Sequence, residues 1–292
     1  MKAPLSKSPI PDSHAFICKR LQDPHFDANW HFHPEYQLFT VLKGSGTRFV
    51  GDNVQTFGPG DLVFTGPDLP HLWRSDPEYF QGNNSLNTDG IVIYFNENLV
   101  GKKLLGKSEL VLIRTLFYKS HRGIKIDGSV TKSIKKDMLQ LVDKQDFDSI
   151  IHLLNILNKL SKIENIELLA SPEYQNNFNA GDTDRMNRVH SYVLKNFHKK
   201  ITLKEVAEIA NMTPSSFSRY FTAHANKTFS NFVSEIRIGY ACKLLIEKNA
   251  MVSEACYASG FQTQSNFNQQ FKNITGRSPS EYKAAFERTN WV

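Results

Sequence analysis

Gln264, Ser265, Asn268 and Gln269 fall at i, i+1, i+4 and i+5, so on a helix they make one face of short hydrogen-bonding side chains. Asn and Gln each present the donor and acceptor pair that matches an adenine edge in a major groove. Lys272, just beyond them, is placed to reach a phosphate. Phe267 and Phe271, four apart, supply a second face for burial, so a single helix reads with one side and anchors with the other. Gly276 is the expected stop, and Ser278-Pro279 the cap and first-turn proline of one more helix running to about Phe286.

The same arrangement occurs fifty residues earlier. Phe217 and Phe221 repeat the apolar pair, and Ser215, Ser218, Arg219 and Thr222 form the polar face. Thr202 and Glu205 make a capping box for a preceding helix, and Thr213-Pro214 opens the helix with the polar face. Glu205-Val206-Ala207 is echoed by Glu254-Ala255-Cys256, but at an offset of forty-nine, so the second copy has one extra residue in its turn. Between the copies Ser230–Lys248 is expected as one long helix, a strut that sets the separation of the two reading helices.

Together these residues resemble the signature of the AraC/XylS family of transcription regulators. The resemblance rests on Gly260-Phe261, the run Ser-Asn-Phe-Asn-Gln-Gln-Phe-Lys at 265–272, and Thr275-Gly276 through Pro279 to Tyr282. Gln269 stands where the family often has Arg, and Cys256 where it commonly has Ala. The resemblance implies a seven-helix unit binding double-stranded DNA through Ser215, Ser218, Arg219, Thr222, Gln264, Ser265, Asn268, Gln269 and Lys272, as a homodimer working with RNA polymerase, by family habit an activator.

A second group of chemically able residues lies near the N-terminus. His31-Phe32-His33-Pro34-Glu35 places His31, His33 and Glu35 on one face of an extended chain, and His71 follows Pro59-Gly60-Asp61 and Gly66-Pro67. Trp73 and Arg74 flank His71. This order resembles the cupin-type sensor half of many AraC-family proteins, although Glu35 arrives too soon for the glutamate of a metal cupin, where this chain has Gln37 and Leu38. Three readings stand side by side. His31, His33, Glu35, His71, Trp73 and Arg74 line a pocket for a small-molecule effector, such as a sugar-derived metabolite; His31, His33 and His71 hold a divalent metal, with Glu35 or Gln37; or the histidines only join strands. No cofactor is otherwise expected. A metal-dependent cupin enzyme fused to a DNA-binding tail is the alternative to a regulator without enzymatic activity.

Short extended runs with glycine and proline punctuation over 13–95 imply an all-β unit: Ala15–Cys18, Tyr36–Leu42, Gly46–Val50, Gln55–Phe57, Asp61–Phe64, His71–Trp73 and Gly90–Tyr94. Gly123–Ile126 is a further short strand. Apolar positions at helical spacing place helices over 109–121, 134–142, 147–160 and 184–197, of which those after the barrel carry more apolar surface than one small barrel covers. The fold class expected is two-domain, an all-β cupin-like barrel with appended helices followed by an all-α DNA-binding domain with two helix-turn-helix motifs. Its parts are a tail (1–12), the sensor with dimerisation helices (13–165), a linker (166–183) and the DNA-binding domain (184–292), with motifs at about 202–223 and 253–274.

Charge divides along the same line. Residues 181–292 hold 15 Lys and Arg against 9 Asp and Glu, a balance of +6, whereas residues 1–180 hold 20 of each. A polyanion partner suits the last third alone. Cys18, Cys242 and Cys256 have no paired spacing, which argues against a disulfide framework and a cysteine zinc site. No run of apolar residues is long enough to span a bilayer, and a reducing cytoplasm with no membrane partner is the simple expectation.

Overall fold

The computed structural model describes residues 10–26, 29–82, 85–176 and 180–289. Most of the expected N-terminal tail, residues 177–179 of the expected linker and the last three residues lie outside the described ones. The chain divides into two compact units at Ala180 and Gly181.

The first unit is built on two antiparallel-rich sheets. Strands β1 (Phe16–Asp23), β2 (Tyr36–Lys43), β3 (Gly46–Val50), β4 (Asn53–Phe57), β5 (Leu62–Thr65), β6 (His71–Ser75), β7 (Thr88–Phe95), β8 (Ile124–Ile126) and β9 (Ile166–Leu168) form a six-stranded sheet, β1-β7-β2-β5-β8-β9, and a three-stranded one, β4-β3-β6. Side chains alternate across each strand. Phe39, Val41, Val63 and Val92 of the larger sheet therefore meet Val50, Phe57 and Trp73 in the barrel interior. Tyr36, Leu38, Leu62, Phe64, Ile91, Ile93 and Phe95 point the other way, into a second core. That core is closed by α2 (Val111–Ser120), α3 (Ser129–Val142) and α4 (Asp146–Ser161), after the one-turn α1 (Lys102–Leu105). Because the larger sheet is covered on both faces, β2 is buried from Tyr36 to Val41 without alternation, Gln37 and Thr40 included.

Most expected strands differ from the observed ones by one or two residues. Two differences are larger. β1 continues to Asp23 through Lys19-Arg20-Leu21-Gln22, a polar run fastened to β7 by an Arg20–Asp89 ion pair at 2.6 Å. Residues 166–168, expected to begin the linker, are β9 paired with β8, and Leu169 and Ala170 enter the barrel core. The chain stays strapped down beyond that point. Ser171 donates from its amide and hydroxyl to Asp52, at 2.9 and 2.6 Å. Gly51, at φ 57°, has no room for a side chain, since a Cβ there would lie 2.8 Å from that of Ala170.

Among the described residues the second unit holds seven helices: α5 (Ala180–Asn196), α6 (Leu203–Ile209), α7 (Pro214–Ala225), α8 (Phe229–Glu247), α9 (Val252–Ala258), α10 (Gln264–Thr275) and α11 (Pro279–Thr289). Their ends follow from local chemistry. The Thr202 hydroxyl accepts from the Glu205 amide while the Glu205 carboxylate takes the Thr202 amide at 2.7 Å, the expected capping box. Thr213, Thr228 and Thr263 cap α7, α8 and α10 through the hydroxyl alone, which accepts from the amides of Ser216, Asn231 and Asn266. Asn226 and Gly276 end α7 and α10 in the left-handed region, at φ 51° and 74°. α5 begins four residues before its expected start.

Candidate functional site

The two copies of the helical motif are superposable in their chemistry. In α7, Phe217 and Phe221 are fully buried; in α10, Phe267 and Phe271 are too. Burying such a ring is worth about 1.5–3 kcal/mol, which fixes the rotation of each helix about its own axis. The opposite faces are consequently turned to solvent. Ser215, Ser218, Arg219 and Thr222 are all exposed on α7, as are Gln264, Ser265, Asn268, Gln269 and Lys272 on α10. At about 100° per residue each set lies within roughly 140° of arc, a single face.

The turns differ as the offset implied. Met212 donates its amide to Ala207 across the first turn and Phe261 to Cys256 across the second. Asn211 (φ 54°) and Gly260 (φ 90°) hold the equivalent left-handed position. The extra residue of the second copy thus falls between Phe261 and Thr263. Each exposed face carries one cation but at a different place: Arg219 on α7 is answered by the neutral Gln269 on α10, and Thr222 by Lys272.

Three histidines meet in the barrel. His31 and His71 form an isolated antiparallel bridge, and their ring centroids are 4.6 Å apart; His33 lies 5.0 Å from His71. One ring nitrogen from each comes within 4.8 Å of the others. The Nδ1 atoms of His31, His33 and His71 face the backbone carbonyls of Asn29, Glu35 and Leu69 at 2.8, 3.1 and 2.7 Å. A carbonyl only accepts, so each Nδ1 carries a proton, and a ring in its neutral form keeps its lone pair on Nε2. Burial, and then the other two rings, hold the His71 imidazole well below its ordinary pKa, which keeps it neutral.

Gln37 completes this group. Its Oε1 lies 3.3 Å from His33 Nε2 and 3.2 Å from His71 Nε2. With neutral rings, lone pairs face a carbonyl oxygen, an arrangement relieved by the amide turned to donate to both rings or by a cation among them. Separations up to 4.8 Å exceed the roughly 3.4 Å between ligands of a tetrahedral zinc, so the rings would close inward on an ion. The donor types fit a divalent metal of the zinc, iron or manganese kind.

The expected pocket residues divide on this geometry. Trp73 shares the interior with the histidines, 5.8 Å from His71 ring to ring, and donates its Nε1 proton to Asp61 at 3.2 Å. Asp61 also pairs with the fully buried Arg48. Glu35 is buried, but its carboxylate lies 3.4 Å from Nδ1 of His33, on the side away from the converging nitrogens. The chain bends between residues 33 and 35, so the expected single face of His31, His33 and Glu35 does not form. Arg74, the neighbour of Trp73 on β6, points out of the interior and covers the Phe80 ring at 4.8 Å. Sequence reasoning missed Tyr94, whose ring centroid lies 5.2 Å from that of His33. Burial and the Glu35 carboxylate push its hydroxyl up to about 12. Cross-strand pairing of Tyr94 with Gln37 brings it there, a long-range register that no local pattern carries.

Among known proteins, a helix-turn-helix domain family matches residues 206–285 and a cupin domain family residues 21–78. An uncharacterized HTH-type transcriptional regulator of Bacillus subtilis, YobQ, is 29% identical over 93 residues, 32% of this chain and 39% of that protein. The probable transcriptional regulator LumQ of Photobacterium leiognathi is 29% identical over 108 residues, 36% of this chain and 44% of its own. The chain thus spans less than half the length of these curated relatives. Among solved structures, the C-terminal domain of AraT, a response regulator from Geobacillus stearothermophilus, aligns with 35% of this chain and 84% of its own at 29% identity and a TM-score of 0.33. ToxT from Vibrio cholerae O395 aligns with 92% of this chain and 97% of its own at 14% identity and a TM-score of 0.37. The chain thus carries a cupin domain at residues 21–78 followed by a helix-turn-helix domain at residues 206–285.

Proposed function

We propose that this protein is a sequence-specific transcription regulator that binds double-stranded DNA through α7 and α10 and answers to a small molecule held in its barrel. The observation that carries the reading is the repeated pairing of two fully buried phenylalanines with a wholly exposed polar face. Two such helices can enter successive major grooves about 34 Å apart on one side of a duplex. Arg219 suits a guanine or a phosphate, and Gln264, Asn268 and Gln269 suit adenine-containing steps. Enrichment of bound sequences from random duplexes tests this directly. Arg219→Ala is expected to cost about 1–3 kcal/mol on the enriched site and little on random DNA; equal loss on both reduces Arg219 to a phosphate contact, and no enrichment at all refutes the reading.

The barrel is read as a sensor, in keeping with relatives named as regulators. His31, His33, His71 and Trp73 with Gln37 and Tyr94 form its polar interior, a sugar-derived metabolite is the expected class of effector, and binding there shifts the balance between states of differing DNA affinity. The converging ring nitrogens favour a second reading, in which His31, His33 and His71 hold a divalent ion with Gln37 beside them. When bound, such an ion supplies a fixed positive charge that orients an anionic or hydroxylated effector. Elemental analysis of protein purified without chelators decides between the two: about one equivalent of metal, lost in His71→Ala, supports the ion, and metal-free protein with full effector response excludes it.

Activation with RNA polymerase, a cytoplasmic location and a homodimer complete the proposal. For the dimer, the support is that Leu104, Val111, Leu112, Tyr118, Phe147 and Ile151 on α1, α2 and α4 are all more than 40% exposed, an apolar concentration of the kind that marks interaction surfaces. No described helix is long and apolar enough to cross a membrane.

A further inference from the structure

A long helix alone does not fix two reading heads, because each head can still pivot about the helix it hangs from. What prevents the pivot in the second unit is a junction between the segment leading into α6 and the turn leading into α10. We infer that Arg237 is the positioning residue that sets the separation and relative rotation of the two reading helices, a role that rests on the DNA-binding reading above.

Arg237 projects from the middle of α8, half-buried, toward the six residues, 197–202, joining α5 to α6. Its Nε donates to the Phe197 carbonyl and its Nη2 to the Lys199 carbonyl, both at 2.7 Å. These carbonyls follow directly on the end of α5, where no helical partner exists for them and a cation is favoured. One turn along α8, Tyr240 meets the Phe197 ring edge-on at 5.1 Å. The first motif is thereby fixed to the strut just before its capping box at Thr202.

The second motif touches the same place. Gly260 lies so close to the Phe197 carbonyl that a Cβ on it would come within 2.6 Å of the oxygen and 2.8 Å of His198 Cα. The Arg237 guanidinium also lies 5.7 Å from the centroid of Phe261, whose ring packs at 5.3 Å on Phe267, an anchor of α10. One guanidinium and one carbonyl thus link both motifs. A planar fork with several donors can hold two carbonyls and a ring face at once, whereas an ammonium holds one point.

If Arg237 sets the separation, its loss loosens the geometry between the heads without altering either reading face. The readout is therefore tolerance to spacing. A site enriched from random duplexes by the wild-type protein is rebuilt with one base pair inserted between its halves, which moves one half by about 3.4 Å and about 34°. Wild-type full-length protein should lose at least about tenfold in affinity on the insertion. Arg237→Gln should bind the parent site about tenfold more weakly yet lose less than about threefold on the insertion. Gly260→Ala, which pushes the same contact apart from the other side, should flatten the profile likewise, and Arg237→Lys should give an intermediate ratio. If Arg237→Gln does not reach wild-type helix content by circular dichroism, Gly260→Ala and Arg237→Lys carry the test. Variants that weaken all duplexes by one common factor, leaving the wild-type ratio intact, overturn the assignment while leaving DNA recognition standing. A wild-type protein indifferent to the insertion overturns it as well, and a wild-type protein that enriches nothing overturns the regulator reading on which it rests.

Discussion

His190 gives the helical unit a defined weakness in acid. It lies on α5, 4% exposed, with its ring stacked at 5.1 Å on Phe232 of the strut. Burial drives its pKa down from 6.5 to about 3. The folded state therefore holds a neutral ring where the unfolded chain, below about pH 6.5, holds a charged one. Since the unfolded state binds the extra proton, stability is fully present above pH 6.5 and declines as pH falls from there toward about 3, by about 1.4 kcal/mol per pH unit. At about pH 5 the loss comes to about 2 kcal/mol, a large share of the stability of a unit this size.

The perturbation is His190→Phe, which keeps a flat ring against Phe232 and removes the titration. Urea unfolding followed by far-ultraviolet circular dichroism is measured for both proteins at about pH 7.5 and about pH 5. Whatever the extra ring atom costs in packing is common to both pH values, and the low-pKa His71 of the barrel is common to both proteins, so each cancels in the double difference. The variant should gain about 2 kcal/mol relative to wild type on acidification. A double difference below about 0.5 kcal/mol would refute the reasoning, because it would mean that His190 finds a proton-accepting environment in the folded state or solvent access that its burial denies.

Two further outcomes are expected. Gln269→Arg places a cation on the exposed face of α10 beside Lys272, so DNA affinity at low salt should rise and the slope of log affinity against log salt should steepen by about 0.9, measured by fluorescence anisotropy between roughly 50 and 200 mM salt; an unchanged slope means that this face does not approach a phosphate. Phe147→Ser with Ile151→Ser, both exposed positions of α4, should shift sedimentation of the full chain toward monomer at micromolar concentration, and an unchanged distribution removes α4 from any self-association.

How much of this was legible beforehand depended on the range of the interactions concerned. The reading helices were plain because their signals are local: a threonine cap, a proline at the first position, phenylalanines four apart and a left-handed stop all lie within one helix length. β9 was hidden because three residues carry no measurable period and its partner β8 lies about forty residues back. The far half of β1 was hidden for a different reason, since Lys19, Arg20 and Gln22 sit on an edge strand whose outward face tolerates charge. The histidines, with Gln37 or Glu35 beside them, could be nominated from their order in the chain, but not the choice between those two, which follows from packing one sheet on the other, nor the Nδ1 hydrogen that three backbone carbonyls hold. Arg74 was misplaced because adjacency in sequence to Trp73 means opposite faces on a strand. Arg237 carried no local mark at all.

The capping boxes of the helical unit bear on its electrostatics. Glu205 and Glu281 spend their carboxylates on the amides of Thr202 and Ser278, at 2.7 and 2.8 Å, and Glu254 does the same for Met251 at 2.8 Å. The hydrogen bonds to the cap residues hold Glu205 and Glu281 below the ordinary carboxylate range, so both stay ionised. Each negative charge nevertheless sits against the partial positive charge of a helix start, which offsets much of its outward field. A phosphate approaching one of these helix starts therefore meets less repulsion than the bare carboxylate would give, while the balance of +6 stands at longer range. The acidic residues that define the helix ends are thus screened from the polyanion, and the unit keeps its caps with little loss of attraction for nucleic acid.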